Sequence, residues 1–185
     1  MNKILQLKIT LDGSKPPIWR RFLVSENITF HELHDIIQEI MGWSDYHLYQ
    51  FTVNNLPILI PHEDYDDDYE DSRKVKLKDF LNAERQKFGY LYDFGDSWDH
   101  RVVVERIMQK AGDKVPICID GKMACPPEDC GGIYGYAELI QVINNKKHPE
   151  HKEMMDWVGS VFNPEELDIN DINRRIKKAN RRSLK

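Results

Sequence analysis

No stretch of the 185 residues approaches the roughly 20 apolar positions that a membrane-spanning helix needs. The opening MNKILQLKIT also holds no apolar run long enough for a signal peptide, so a cytoplasmic protein without a membrane partner is expected. Cysteine is scarce. Three residues, an odd number, do not make a disulfide framework, and Cys118, Cys125 and Cys130 read as free thiols or metal ligands. There is no internal repeat, and no glycine-rich strand-to-helix turn of the kind that holds a dinucleotide. Positive charge is concentrated at one end: seven Lys or Arg and no acid lie between Arg174 and Lys185. Without them the formal net charge of −5 becomes −12 for residues 1–173. Such a body repels nucleic acid, and only the basic tail could attract it.

What is present suits a globular fold: 41% hydrophobic and 10% aromatic residues are more than a disordered chain carries. Leu5, Leu7, Ile9 and Leu11 alternate as in a half-buried strand, and DGSKPP turns the chain into a second strand, Ile18 to Val24. There Arg20 and Arg21 point to opposite faces, one of them calling for a carboxylate partner or an apolar surface for its stem. TFHELHDIIQEIMGW reads as a helix, with Thr29 and Glu32 as a capping box, Leu33, Ile36, Ile37, Ile40 and Met41 at helical spacing, and Gly42 as the stop.

Residues 47–53 alternate again, and a short helix is predicted around 78–84. Phe88, Tyr90, Tyr92 and Phe94 are placed on one strand face, paired through DFGDSWD with a valine-rich strand at 100–107. A further strand near 115–120 precedes helices at 136–145, 149–158 and 170–181. The pattern predicts an α+β class, with an antiparallel or mixed sheet, a helix after the second strand and a C-terminal group of helices. One domain over residues 1–185 is expected, with an acidic loop at 62–72 and a basic helix and tail at 170–185.

Two motifs carry chemistry. In YDFGDSWDH, the side chains of Asp93, Asp96, Asp99 and His100 could bind a divalent cation, with histidine shifting the preference towards zinc or manganese. The same residues also suit a plain hairpin turn, with Gly95 at positive φ and Asp93 or Asp96 capping amides. DFG without a glycine-rich nucleotide loop, strand lysine or HRD loop does not make a kinase.

In GKMACPPEDCGGIYGY, Cys125 and Cys130 have four residues between them, at the long edge of zinc spacing, with Cys118, His148 and His151 as further ligands if they converge. The alternatives are a loop stiffened by Pro126 and Pro127, or a phosphate turn built on glycines 131, 132 and 135 before a helix. A redox dithiol lacks the Cys-x-x-Cys spacing. In HPEH, Pro149 fits a first helical turn and His148 an N-cap. Trp19, Trp43, Trp98 and Trp157 are expected in the core or a cleft wall.

PPIWRRFLV, the helix ending in MGW, YDFGDSWDH, ACPPEDCGG, HPEH and FNPEELD occur in this order, and together they resemble the plasmid pRiA4b ORF-3-like family over nearly the whole chain. Members of that family are encoded on plasmids, beside insertion elements and in prokaryotic chromosomes, so the resemblance implies an accessory role around mobile elements and assigns no reaction. The resulting expectation is a binding or accessory module whose ligand surface joins the hairpin to the cysteine loop, through Asp93, Asp96, Trp98, Asp99, His100, Glu128, Asp129, Gly131 and Gly132. A metal-dependent hydrolase or nuclease using Asp96, Asp99, His100, Glu128 or Asp129 is the rival. Weak DNA binding through the basic tail is the third, leaving a protein or a nucleic acid as partner.

Overall fold

The alternation in the first 25 residues is realised as an antiparallel pair, β1 (Lys3–Leu11) and β2 (Trp19–Ser25), in a computed structural model that describes residues 3–62, 68–109, 115–159 and 162–183, with side chains to 179. The chain continues through α1 (Phe30–Met41), β3 (Tyr49–Val53), β4 (Leu56–Leu59), β5 (Glu70–Asp71), α2 (Leu77–Phe80), β6 (Lys87–Tyr92), β7 (Trp98–Gln109) and β8 (Ile117–Lys122). It closes with α3 (Gly132–Asn144), α4 (His151–Val158) and α5 (Ile169–Ser183). The eight strands form one sheet in the order β5-β4-β3-β6-β7-β1-β2-β8. The sheet is mixed: β4 and β5 run parallel, and the other neighbours run antiparallel. The class is α+β, with the helix after the second strand and the C-terminal helices in place.

Period-two burial gives the sheet one apolar face. Leu5, Leu7, Ile9 and Leu11 of β1, Phe22 and Val24 of β2, Tyr49 and Phe51 of β3, Tyr90 and Tyr92 of β6, and Val102 and Val104 of β7 are all buried. Against this face α1 sets Phe30, Leu33, Ile37 and Ile40, with Phe30 edge-on to Phe51 at 5.2 Å. Each such side chain removed from water contributes roughly 1.5–3 kcal/mol. Thr29 and Glu32 close the capping box, and Gly42 ends the helix at φ 88°. Ile172 and Ile176 of α5 and Tyr136, Leu139 and Ile143 of α3 join the same core.

The opposite face is polar. There Arg21 pairs with Glu105 at 2.6 Å and Asp120 at 2.7 Å, and the Lys8 ammonium lies 4.6 Å over the Trp19 ring. Arg20, on the inner face, is 2% exposed and donates to the Trp19 and Lys122 carbonyls and to Cys125 Sγ. Of the four tryptophans, Trp43 and Trp98 are buried, Trp19 lies on the polar sheet face, and Trp157 is 49% exposed.

Several expectations are corrected. A hairpin between β3 and β4 stands where only the first strand was expected: Asn54 and Asn55, at φ 52° and 66°, form a two-residue turn whose positive φ values match the right-handed twist of the paired strands. The turn between β6 and β7 takes its positive φ at Asp93 (57°) and Ser97 (53°), not at Gly95. Phe94 leaves the strand and is 40% exposed, because β6 ends at Tyr92. Glu150, not His148, is the N-cap of α4. Part of the acidic loop, residues 63–67, lies outside the described residues, as do the side chains beyond Ala179.

Candidate functional site

Three segments meet at one end of the inner face: the exit loop of α1 (residues 42–48), the turn between β6 and β7, and the loop entering α3. Glu128 ties them together. Its Oε1 accepts from the Tyr92 hydroxyl at 2.7 Å and its Oε2 from the Ser44 amide at 2.9 Å. The Trp43 indole donates to the Pro126 carbonyl at 3.0 Å, so the proline-stiffened loop roofs the aromatic layer Trp43, Tyr92 and Trp98. Burial, together with the acceptor Glu128, pushes the Tyr92 phenol well above its ordinary pKa and keeps it a donor.

On the other side, Asp96 Oδ2 accepts from the Gly131 amide at 3.1 Å. Gly132 is required there: at φ 67°, a Cβ would sit 2.2 Å from the Asp96 carbonyl oxygen. The paired glycines therefore let the α3 entrance touch the hairpin turn.

At the centre of this seam lie His47, Asp93 and Asp129. His47 Nε2 is 3.6 Å from Asp93 Oδ2 and 3.3 Å from Asp129 Oδ1, and the three groups can place their ligand atoms within 4.8 Å of one another. Asp93 is 7% exposed, and its Oδ1 is taken by the Gly95 and Asp96 amides, which aims Oδ2 at His47. The His47 ring stands edge-on to Tyr92 at 5.8 Å. Both aspartates hold left-handed backbone, φ 57° and 59°. The separations are too long for strong hydrogen bonds. They match the spacing of about 3.3 Å between ligands that share one tetrahedral cation at bond lengths of about 2.0–2.1 Å.

A second trio, His34, Asp35 and Asp45, also gathers within 4.8 Å. It is differently made: His34 is fully buried, its Nε2 donates to Asp45 Oδ1 at 2.7 Å, its Nδ1 is 2.8 Å from the Tyr90 hydroxyl, and its ring stacks on Tyr49 at 3.6 Å. Both ring nitrogens are engaged inside the protein.

The other candidates separate. Asp99 lies on the polar face of the sheet, where burial and nearby Asp12 raise its pKa, while His100, next along β7, points into the core. Burial pulls the His100 imidazole down to about 4. Trp98 is fully buried and forms the floor. Asp96, Glu128, Asp129, Gly131 and Gly132 all reach the seam; Asp99 and His100 do not contribute side chains to it.

Neither trio contains a cysteine. Cys125 lies beside Arg20 and Met41, Cys118 is buried within β8 with its backbone bonded to the Asn173 side chain, and Cys130 is pushed up to about 12 by burial and by Asp96 and Asp129. His151 Nδ1 contacts the Val142 carbonyl, and His148 Nδ1 accepts from the Glu150 amide. His47 is the site residue that sequence reasoning missed. Its signal is the polar run Ser44-Asp45-Tyr46-His47 directly after a helix stop.

Among the described residues, no helix is long and apolar enough to cross a membrane. Comparison with known proteins places the chain. A curated protein of Sinorhizobium fredii (strain NBRC 101917 / NGR234), the uncharacterized protein y4hQ, is 37% identical over 158 residues, covering 85% of this chain and 81% of its own. The crystal structure of the protein of unknown function MM3350 from Methanosarcina mazei Go1 superposes with a TM-score of 0.84 at 37% identity, covering 92% of this chain and 98% of that one. The profile described as plasmid pRiA4b ORF-3-like protein matches residues 3–171, and the chain belongs to that family.

Proposed function

We propose that the chain is a binding module whose ligand site is the seam between the β6–β7 turn and the loop entering α3, with a divalent cation, zinc or manganese, held by His47, Asp93 and Asp129. The observation that carries this reading is the spacing of 3.3 and 3.6 Å around His47 Nε2, longer than a strong hydrogen bond and matched to shared coordination. One imidazole and two carboxylates suit these ions. Asp129, 71% exposed in its side chain, leaves the outer side of the cation open to a ligand's oxygen or nitrogen. An accessory role beside mobile elements belongs to this reading; the family's description names a plasmid reading frame.

Calorimetric titration of metal-free protein with manganese and zinc tests the reading. One cation per chain is expected, bound at least tenfold more weakly by Asp93→Asn and by His47→Ala. No saturable binding would overturn it. A Cys125→Ser, Cys130→Ser variant separates this site from a thiol-based zinc site, since it keeps its cation under the present reading.

A metal-dependent hydrolase is the second reading, favoured by the three protein ligands with an open outer side, as in catalytic sites. Turnover of bis(p-nitrophenyl) phosphate or a p-nitrophenyl ester by the manganese-loaded protein, lost in Asp93→Asn, would establish it. Weak DNA binding through the tail, whose Arg174, Lys177 and Lys178 are exposed, predicts affinity that falls steeply with salt.

A further inference from the structure

Beyond the seam, α3 and α4 enclose a groove of about 390 Å³ with an unusual division of character. Its floor is apolar: Leu139 and Val142 of α3, with Met154 and Trp157 of α4. Asp129, Glu138 and Glu150 supply its charge, and among the described residues neither lysine nor arginine lines it. α4 offers no buried residue of its own, and Trp157 is 49% exposed, so two large apolar side chains at helical spacing stand over the groove only partly covered.

The geometry points to a docking site for a basic segment of a partner protein, which inserts a lysine or arginine side chain between α3 and α4. Such a side chain has an apolar stem and a cationic head. The stem fits against Leu139, Val142 and Met154, the head reaches carboxylates, and the open face of Trp157 attracts a cation by its quadrupole. The volume is near the lower end of the range of ligand pockets, enough for one or two side chains and too small for a folded surface. Charge complementarity decides the occupant: among the described residues the groove presents carboxylates and no lysine or arginine to what enters it, so an acidic or purely apolar segment is disfavoured. The groove meets the seam at Asp129, but its apolar floor and Glu138 and Glu150 are independent of cation binding.

The test is fluorescence anisotropy with a fluorescein-labelled amphipathic peptide of lysine, arginine, leucine and alanine, and the same peptide with glutamate in place of every cation. Saturable binding of the basic peptide is expected, weakened at least tenfold by Glu138→Gln with Glu150→Gln and by Trp157→Ala, with circular dichroism unchanged. A control that removes two carboxylates from α1, Glu32→Gln with Glu39→Gln, leaves the affinity unaltered. Asp93→Asn also leaves it unaltered, so failure of the cation site and failure of the groove are told apart. Equal losses in the α1 control, equal binding of the acidic peptide, self-association of the chain through this groove in place of peptide binding, or no binding would each overturn the proposal.

Discussion

His34, within α1, and His47, in the loop that leaves it, each lie beside two aspartates, yet they differ in the property that decides their use. His34 is sealed: both ring nitrogens meet protein partners at 2.7 and 2.8 Å, and Tyr49 covers its face. His47 is half-open, with carboxylates at 3.3 and 3.6 Å and a side chain 30% exposed. A pair at 2.7 Å has no room for an ion, whereas separations near 3.3 Å are those of groups sharing one. Identical residue types thus make a structural clasp in one place and a candidate binding site in the other. The clasp extends through Tyr90 to Gln38 and, beside it, from Tyr49 to Ser72 and His31, so one polar network anchors α1 to the sheet.

The sharpest way to break the comparison is to remove each histidine. His34→Ala strands Asp45 and the Tyr90 hydroxyl and opens a cavity, and is expected to cost about 4 kcal/mol. The melting temperature should fall by roughly 10 °C, given about 2–4 °C per kcal/mol at this chain length. Cation affinity should remain.

His100 supplies a third case, equally buried but with Nε2 unpaired and Nδ1 donating to the Tyr90 carbonyl at 3.2 Å. Its pKa of about 4 lies below the ordinary 6.5. Between those values the unfolded chain binds the proton more readily than the folded one, so stability declines as pH falls from 6.5 to 4. The loss should total about 3 kcal/mol, or 1.36 kcal/mol per unit. Denaturant midpoints measured across that range should fall less steeply in His100→Leu.

Gly132→Ala should cost about 2 kcal/mol, because its Cβ strikes the backbone of Asp96. Cation affinity should fall with it, because the seam must open. Smallest in stability is His47→Ala, expected to change unfolding by less than about 1 kcal/mol at a half-exposed site.

The parts of the fold with strong periodicity were legible in the chain. The capping box at Thr29 and Glu32, the alternation in β1 and the valines of β7 each state a local preference that the tertiary structure obeys. The Asn54-Asn55 turn leaves a signal in the chain, but Pro57 inside the four-residue β4 weakens the strand pattern that would complete the hairpin.

For the site, the two motifs meet, yet which atoms face one another follows from backbone detail that composition does not encode. Left-handed backbone at Asp93 and at Asp129 sets the direction of each carboxylate. Strand alternation separates Asp99 from His100, adjacent in sequence and opposite in space. His47 joins them from a loop 46 residues before Asp93, a pairing that only the folded chain creates.

The most direct measurement is anomalous diffraction from crystals of the protein soaked in manganese. A peak bonded to His47 Nε2, Asp93 Oδ2 and Asp129 Oδ1, at about 2.0–2.2 Å from each, is the predicted result. No peak in the seam, or one seated at His34 instead, would contradict it.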